Sequence, residues 1–291
     1  MQFRDTEAVD GVTVCHAGYH ACAEEDRGRV LRDAVDRLNL AGAHCRLVLS
    51  PFDYRMLQTV APEVPEQELR DALRWRVQEM IDFPAGEAAI EYYRLPSPRQ
   101  AGEGTTLAVL VCRSDLIRAH SELCEGAGLN LGIIDIPELA LRNLGARLPE
   151  CRRGVALLSL QEERGTLQLQ KGEEIYISRG LSFGSGLFEG ALAGTAAGDE
   201  DAAMERLALE VQRSLDYYES FFGQSPVAGL VVTPIAAGTQ QLVDGLNRSL
   251  AVIARAMDLG ALVSWHERLD DATQQKCLTA VGAALREAGV T

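Results

Sequence analysis

The sequence predicts an α/β protein made of two domains. Segments with the two-residue periodicity of strands alternate along the chain with segments that have the 3.6-residue periodicity of helices. A polar segment, residues 148–153, interrupts this alternation near the middle of the chain and is the best candidate for a domain boundary. The length of 291 residues is sufficient for two domains of ordinary size.

In the first half, one or two short strands around Gly18 are predicted within residues 11–23, a helix over 26–40 and a strand over 45–49. The next helix begins at Pro65, because proline suits the first helical position and the acidic residues after it suit the helix dipole, and it ends at Pro84. Strands over 87–95 and 105–112 follow, then a helix capped by Ser114 and a short helix over 137–144. The succession of helix, strand, strand and helix predicts a compact α+β unit.

In the second half, three strands are predicted over residues 155–160, 166–171 and 174–179, joined by two short turns into a meander. A segment rich in Gly and Ala, residues 180–198, precedes a long amphipathic helix over 199–222. A strand over 229–233, a helix within 239–256 and a last helix over 271–288 complete the chain. No internal repeat interrupts this order.

Composition narrows the classes of function. Apolar residues make up 47% of the chain and charged residues 24%, which is typical of a globular protein, and the net charge is −14. Because an acidic surface repels phosphates, we expect neither nucleic-acid binding nor direct binding to anionic lipids, whereas a basic partner would be attracted. No apolar run reaches the length of a membrane span and no signal-peptide pattern opens the chain, so the protein is predicted to be cytoplasmic.

Two kinds of residue pattern bear on catalysis and metal binding. On a continuous strand, His16, His20 and Cys22 would share one face and could bind a metal; incidental side chains on a half-exposed strand are the alternative, and we expect no metal. The seven cysteines contain no C-x-x-C pair, and no nucleophile elbow, zinc-protease motif or phosphate loop occurs. The sequence therefore predicts no catalytic residue and no enzymatic activity.

The helix that begins at Pro65 carries the most informative pattern. At 100° per residue its apolar side chains form one stripe, whereas Trp75 lies on the opposite, acidic face. Tryptophan is enriched at binding hot spots, so this position indicates either a partner-binding surface or packing against another part of the same chain. Both interpretations stay open from the residues alone.

Read in order, several segments resemble the PilM-like family of pilus-assembly proteins, and within it the MshI branch of MSHA (agglutinin) biogenesis. The segments are Glu68–Pro84 (ELRDALRWRVQEMIDFP), Ile90–Pro96 (IEYYRLP), Ile177–Gly180 (ISRG), Leu209–Ser220 (LEVQRSLDYYES) and Ala280–Glu287 (AVGAALRE). The resemblance covers most of the chain. It implies an actin-like (ribonuclease H-like) fold, with residues 1–150 as a first domain that includes an α+β insert at about 59–128. Residues 151–291 would form the second domain, whose last helix returns to the first.

The resemblance also bears on nucleotide binding. Relatives that bind ATP use two Asp-containing phosphate turns and a Gly-Gly adenosine loop, with backbone N–H groups on phosphate and carboxylates on Mg²⁺. This sequence departs at all three positions, which read Asp10–Gly11, Gln161–Thr166 (QEERGT) and Thr233–Gly238 (TPIAAG). We therefore expect no cofactor, neither ATP nor Mg²⁺, and a non-catalytic protein.

A binding function follows from the resemblance. PilM-like proteins capture the short cytoplasmic N-terminal tail of a bitopic, PilN-like membrane protein, and related subunits contact the assembly ATPase. We expect a cytoplasmic scaffold held at the inner membrane by its partners, with Arg74, Trp75, Ile81, Phe83 and Pro84 as partner-binding residues. The alternatives are an ATP-binding actin-like ATPase of pilus assembly and the cytoplasmic domain of a GspL-like type II secretion protein.

Overall fold

The computed structural model describes residues 2–5, 12–98, 104–186, 188, 199–267 and 269–286. These residues form two compact units. The first unit comprises the described residues up to Tyr19, Pro98, and the described residues from Glu138 onward. The second unit comprises His20–Ser97 and the described residues from Gly104 to Pro137.

Helices and strands alternate along most of the chain, as the sequence predicts. The strands are β1 (Gln2–Asp5), β2 (Val12–His16), β3 (His44–Val48), β4 (Tyr54–Val60), β5 (Ala88–Arg94), β6 (Thr106–Arg113), β7 (Asn130–Asp135), β8 (Val155–Leu160), β9 (Gly165–Lys171), β10 (Glu174–Leu181), β11 (Leu230–Val232), β12 (Ala254–Ala256) and β13 (Ser264–Trp265). The helices are α1 (Arg27–Leu38), α2 (Glu66–Val77), α3 (Ser114–Gly126), α4 (Pro137–Ala146), α5 (Asp199–Phe222), α6 (Thr239–Ser249) and α7 (Asp271–Ala284).

A five-stranded sheet with the order β10-β9-β8-β11-β12 is the centre of the first unit. Strand β9 is antiparallel to β8 and to β10, whereas β11 is parallel to β8 and to β12. Counted from β8, the order is 3-2-1-4-5 with the second strand antiparallel to its neighbours. This is the strand arrangement of a ribonuclease H-like half, and it confirms the meander predicted from residue 155 onward.

Both faces of this sheet are covered, which explains why all six residues of β8 are buried. Ala156, Leu158 and Leu160 pack in one apolar cluster with residues of α5 and α6. Val155 and Leu157 pack in a second cluster with residues of α4 and α7. The sheet is therefore the middle layer of a three-layer unit, with two helices on each face.

The second cluster also joins the two ends of the described chain. Val14 of β2 is 1% exposed and packs in the same cluster as Leu278 and Val281 of α7. Strand β2 is paired with β1 and, in parallel, with β13. Residues of the last helix and of β2 thus belong to one apolar cluster.

In the second unit, an antiparallel sheet of order β4-β6-β5 supports α2. Leu69, Leu73 and Val77 of α2 are buried against apolar residues of β5 and β6. Strands β3 and β7 form a separate parallel pair, and the hydrogen bond from Arg32 Nε to Gly126 O joins α1 to α3. The helix–strand–strand–helix succession predicted from the sequence is present, with one more strand.

The structure corrects several element boundaries. Strands β1, β4 and β7 and the short strands β12 and β13 were not predicted. The strand at the start of the 11–23 segment ends at His16, α2 ends at Val77 and not at Pro84, and α7 ends at Ala284. The second compact unit ends at Pro137, and the sheet of the predicted insert begins at Tyr54. The division into domains at 1–150 and 151–291 stays a prediction. None of the described helices is long and apolar enough to cross a membrane.

Candidate partner-binding site

A cavity of about 820 Å³ lies at the C-terminal end of α2, within the second unit. It is formed by the last turns of this helix and by the segment that follows the helix. The lining residues are Arg74, Trp75, Gln78, Ile81, Asp82, Phe83, Pro84, Ala85 and Gly86. All five residues predicted to bind a partner, Arg74, Trp75, Ile81, Phe83 and Pro84, therefore line one cavity.

Helix α2 places Trp75 on the rim of this cavity because its apolar stripe faces the other way. Leu73 is fully buried and Val77 is 1% exposed, whereas Trp75, between them in sequence, is 77% exposed. The two orientations predicted for Trp75 were a partner surface and packing within the chain. In this structure the indole does not contribute to the core.

The segment after α2 forms the opposite wall. The helix ends at Val77, and a 3-10 turn at Gln78–Met80 leads into an extended residue, Ile81. Ile81 and Phe83 are half-buried and pack against the apolar cluster beneath α2, so each has one side in the core and another toward the cavity. The backbone at Pro84 is extended before a second 3-10 turn at Ala85–Glu87. This wall is thus apolar, and its contacts with the core hold it in position.

Hydrogen bonds of Arg74 connect α2 to the segment that forms the opposite wall of the cavity. Its Nη1 donates hydrogen bonds to the carbonyl oxygens of Ala85 and Ala88, both at 2.7 Å. A charged donor that satisfies two carbonyls in a partly buried position is a strong interaction. Arg74, predicted as a contact residue, therefore also maintains the shape of the cavity.

Replacing Arg74 with methionine is expected to lower the free energy of unfolding by about 2 kcal/mol, because two carbonyl oxygens lose a charged donor. Amide hydrogen exchange of Glu87, whose N–H bonds to Pro84 O, should become faster, since the turn is no longer tied to α2. Arg76→Met is the matched control: Arg76 also donates to two oxygens, of Val60 and Thr59, but its side chain is exposed. A loss of stability as large in Arg76→Met would contradict this role for Arg74.

Charges at the edge of the cavity are paired. Asp82 accepts a hydrogen bond from Arg55 Nη2 at 2.9 Å, and Arg55 also donates to Met80 O. The guanidinium of Arg113 lies 5.6 Å from the centre of the Phe83 ring, a cation–π distance. Arg113 also bonds to Asp115, which lowers the pKa of that carboxyl. These contacts hold Phe83 and Asp82 in place without making the cavity basic.

The residues considered as metal ligands lie at the end of β2 and in the segment that follows it. Cys15 and His16 are half-buried, Cys22 is exposed, and His20 Nε2 lies 3.4 Å from Arg37 Nη2. Within the described part of the chain, no three His, Cys, Asp or Glu side chains are grouped so that they could hold a metal ion. Asp10 and Gly11, one of the three nucleotide positions, lie outside the described residues.

The chain is similar in fold to proteins of known structure. No protein-family model and no curated protein matches it. Among solved structures it is similar to one described as the PilM–PilN type IV pilus biogenesis complex, with a TM-score of 0.63 and 21% identity over 89% of this chain and 84% of that one. At this identity the likeness establishes the fold: the chain has the actin-like α/β fold that the sequence predicts.

Two further structures are similar at a lower level. One is the cytoplasmic domain of EpsL, an inner-membrane component of the type II secretion system of Vibrio cholerae, with a TM-score of 0.45 and 10% identity over 90% of this chain and 82% of that one. The other is a Bacteroides thetaiotaomicron protein of unknown function with an actin-like ATPase fold, with a TM-score of 0.44 and 10% identity over 79% and 76%.

Proposed function

We propose that this protein is a non-catalytic scaffold of a type IV pilus assembly platform of the MSHA (MshI) kind. Its task is to bind the N-terminal cytoplasmic tail of a PilN-like membrane protein in the cavity at the end of α2. The protein would then stand at the cytoplasmic face of the inner membrane, held there by partners that include this tail and the assembly ATPase. The fold supports the proposal, because a similar fold occurs in the PilM–PilN complex.

The observation that carries the proposal is the exposure of Trp75 on the rim of an apolar cavity. A tryptophan that is 77% exposed has most of its apolar area available for a partner. The cavity beside it, about 820 Å³, is within the range of roughly 300–1,000 Å³ that is typical of ligand pockets, so it has room for side chains of a peptide. A bound peptide would cover the indole and fill the space between α2 and residues 81–86.

Two further features favour an extended, basic peptide. Strand β5 begins two residues beyond the cavity and is an edge strand of the described three-stranded sheet, so its backbone can pair with an added strand. Asp71 and Glu79 are exposed on or near α2, and the whole chain carries a net charge of −14. Tails that precede a transmembrane helix on the cytoplasmic side are rich in Lys and Arg, which complements this charge.

The proposal is tested by measuring the binding of fluorescently labelled tail peptides to the full chain. The peptides are the cytoplasmic N-terminal tails of the bitopic membrane subunits of the same pilus system. Trp75→Ala is expected to weaken binding at least about tenfold, because truncating a hot-spot tryptophan costs 2 kcal/mol or more. Its melting temperature should stay within about 1 °C of the wild type, since the side chain is exposed.

Phe52→Ala is the matched control. Phe52 is also a large exposed aromatic of the second unit, 70% exposed, but it does not line the cavity. This variant should bind the tail as the wild type does. An equal loss of affinity in both variants would show that the effect is not specific to the cavity, and failure of every tail to bind would remove the proposed partner.

A further inference from the structure

We propose that, in this protein, the position at which actin-like relatives hold a nucleotide is closed by the chain itself, with the amide of Gln275 as the central group. The side chain of Gln275, on α7, is 6% exposed. Its Nε2 donates to Leu160 O at 2.7 Å and lies 3.1 Å from Ser185 Oγ, and its Oε1 accepts the N–H of Ala236 at 3.1 Å. One amide thus joins α7 to three other segments of the first unit.

These segments include the two described positions that correspond to nucleotide loops. Leu160 is the last residue of β8, directly before the turn at Gln161–Thr166, and Ala236 belongs to the loop at Thr233–Gly238. A primary amide has two N–H donors, and both are used here, as is its carbonyl oxygen. Both N–H donors and the carbonyl oxygen of the Gln275 side chain therefore have hydrogen-bond partners in or beside the two loops.

The turn after β8 is covered from a second side by Gly184, Ser185 and Gly186. The N–H of Ser185 donates to Gln161 O at 2.7 Å, and that of Gly186 donates to Glu162 O at 2.9 Å. A Cβ at Gly184 would overlap the carbonyl oxygen of Gln161. Because not even a methyl group fits between these backbones, the much larger phosphate group does not fit there either.

The hydrogen-bonding groups of the two loops do not suit a nucleotide. A phosphate is held by backbone N–H groups that point toward it. In this structure the N–H of Gln161 donates to Arg164 O within the turn, and the N–H of Ala236 donates to Gln275. Pro234 has no N–H to offer. The residues of these two described loops therefore do not fit Mg-ATP.

The physical consequence is that the two loops are held together without a bound ligand. In a protein that binds nucleotide between these loops, the ligand links them and adds stability in proportion to its concentration. Here the neutral amide of Gln275 links the two loops, so no charged group has to be removed from water. This inference does not rest on the partner proposal, because Gln275 and its contacts belong to the first unit and the cavity to the second.

The experiment is thermal unfolding of the full chain with and without Mg-ATP at about 1 mM, a concentration that would reveal micromolar binding. The wild type should melt within about 1 °C of the same temperature in both conditions. Gln275→Ala should melt about 6 °C lower, because Leu160 O and Ala236 N–H lose their partner. Amide exchange of Ala236 should become at least about tenfold faster in this variant.

Two more variants make the result specific. Gln274→Ala is the matched control. Gln274 is the preceding glutamine, and its Nε2 donates to Leu269 O, close to it in sequence, at 2.9 Å. This variant should melt within about 2 °C of the wild type. Gln275→Glu keeps the acceptor for Ala236 and loses both donors, so it should be destabilised yet protect Ala236 better than Gln275→Ala does. Stabilisation of the wild type by Mg-ATP would overturn the inference, and so would equal melting of Gln275→Ala and Gln274→Ala.

Discussion

Replacing Leu73 with alanine is expected to lower the free energy of unfolding by about 3 kcal/mol, the usual effect of a cavity left by a buried leucine. Leu73 is fully buried, on the face of α2 that packs against β5 and β6. Its side chain lies in the same apolar cluster as Leu107 and Val109 of the central strand. The loss should appear as a lower urea midpoint in far-ultraviolet circular dichroism, with an unchanged slope.

Trp75→Ala provides the comparison for this variant within the same helix. The two positions are separated by two residues, or about 200° around the helix axis, and their exposures are 0% and 77%. The exposed position should change the free energy of unfolding by no more than about 0.5 kcal/mol. If Trp75→Ala were destabilised as much as Leu73→Ala, the indole would belong to the core and the candidate site would lose its main contact residue.

The candidate site could be predicted from the sequence because it is formed by one continuous segment. The orientation of Trp75 follows from helix periodicity. The end of the helix does not follow in the same way, because it was predicted at Pro84 and α2 ends at Val77. Ile81 and Phe83 follow directly along the same chain. No contact between distant residues is needed to bring these side chains to one cavity, so local reasoning is sufficient.

The Gln275 contacts could not be predicted in this way. They join residues that are 39, 90 and 115 positions apart, and no spacing in the sequence indicates which loops meet. The loops themselves were identified from the resemblance, at Gln161–Thr166 and Thr233–Gly238. Their connection through an amide of the last helix depends on how the sheet and α7 pack.

Strand β9 shows a related difficulty. Alternation predicts the strand correctly, but it also suggests that the polar residues Gln168 and Gln170 face solvent. Both are fully buried, because α4 covers that face of the sheet, and Gln170 Nε2 donates to Arg142 O at 3.0 Å. The periodicity of a strand shows which residues share a face, but it does not show whether another helix lies on that face.

The strands missed by the sequence analysis have the same cause. Strand β4 pairs with β6, and β7 pairs in parallel with β3, so each partner is distant in the sequence. Strands β12 and β13 have three and two residues, too few for a periodic signal. Pairing energy between distant segments, which a local pattern does not contain, determines these elements.

Gly282→Ala is expected to lower the free energy of unfolding by about 3 kcal/mol, although alanine is the better helix former by up to about 1 kcal/mol. Gly282 is in α7, where the helix passes close to α4. A Cβ at this position would overlap the carbonyl oxygen of Ala140 and come within 2.7 Å of its carbonyl carbon. Because these are backbone atoms, the overlap can be relieved only by moving one helix away from the other.

Such a movement would also break contacts that depend on the close approach. Asn143 Nδ2 donates to Gly282 O at 3.0 Å, and Leu144 packs in the same cluster as Leu278. Gly126→Ala is the matched control: Gly126 is also helical, at the end of α3, but a Cβ there meets no atom within 4 Å. It should be neutral or stabilising by up to about 1 kcal/mol. If urea unfolding gave the same free energy of unfolding for the two variants, the backbones of α4 and α7 would be farther apart at Gly282 than they are in this structure.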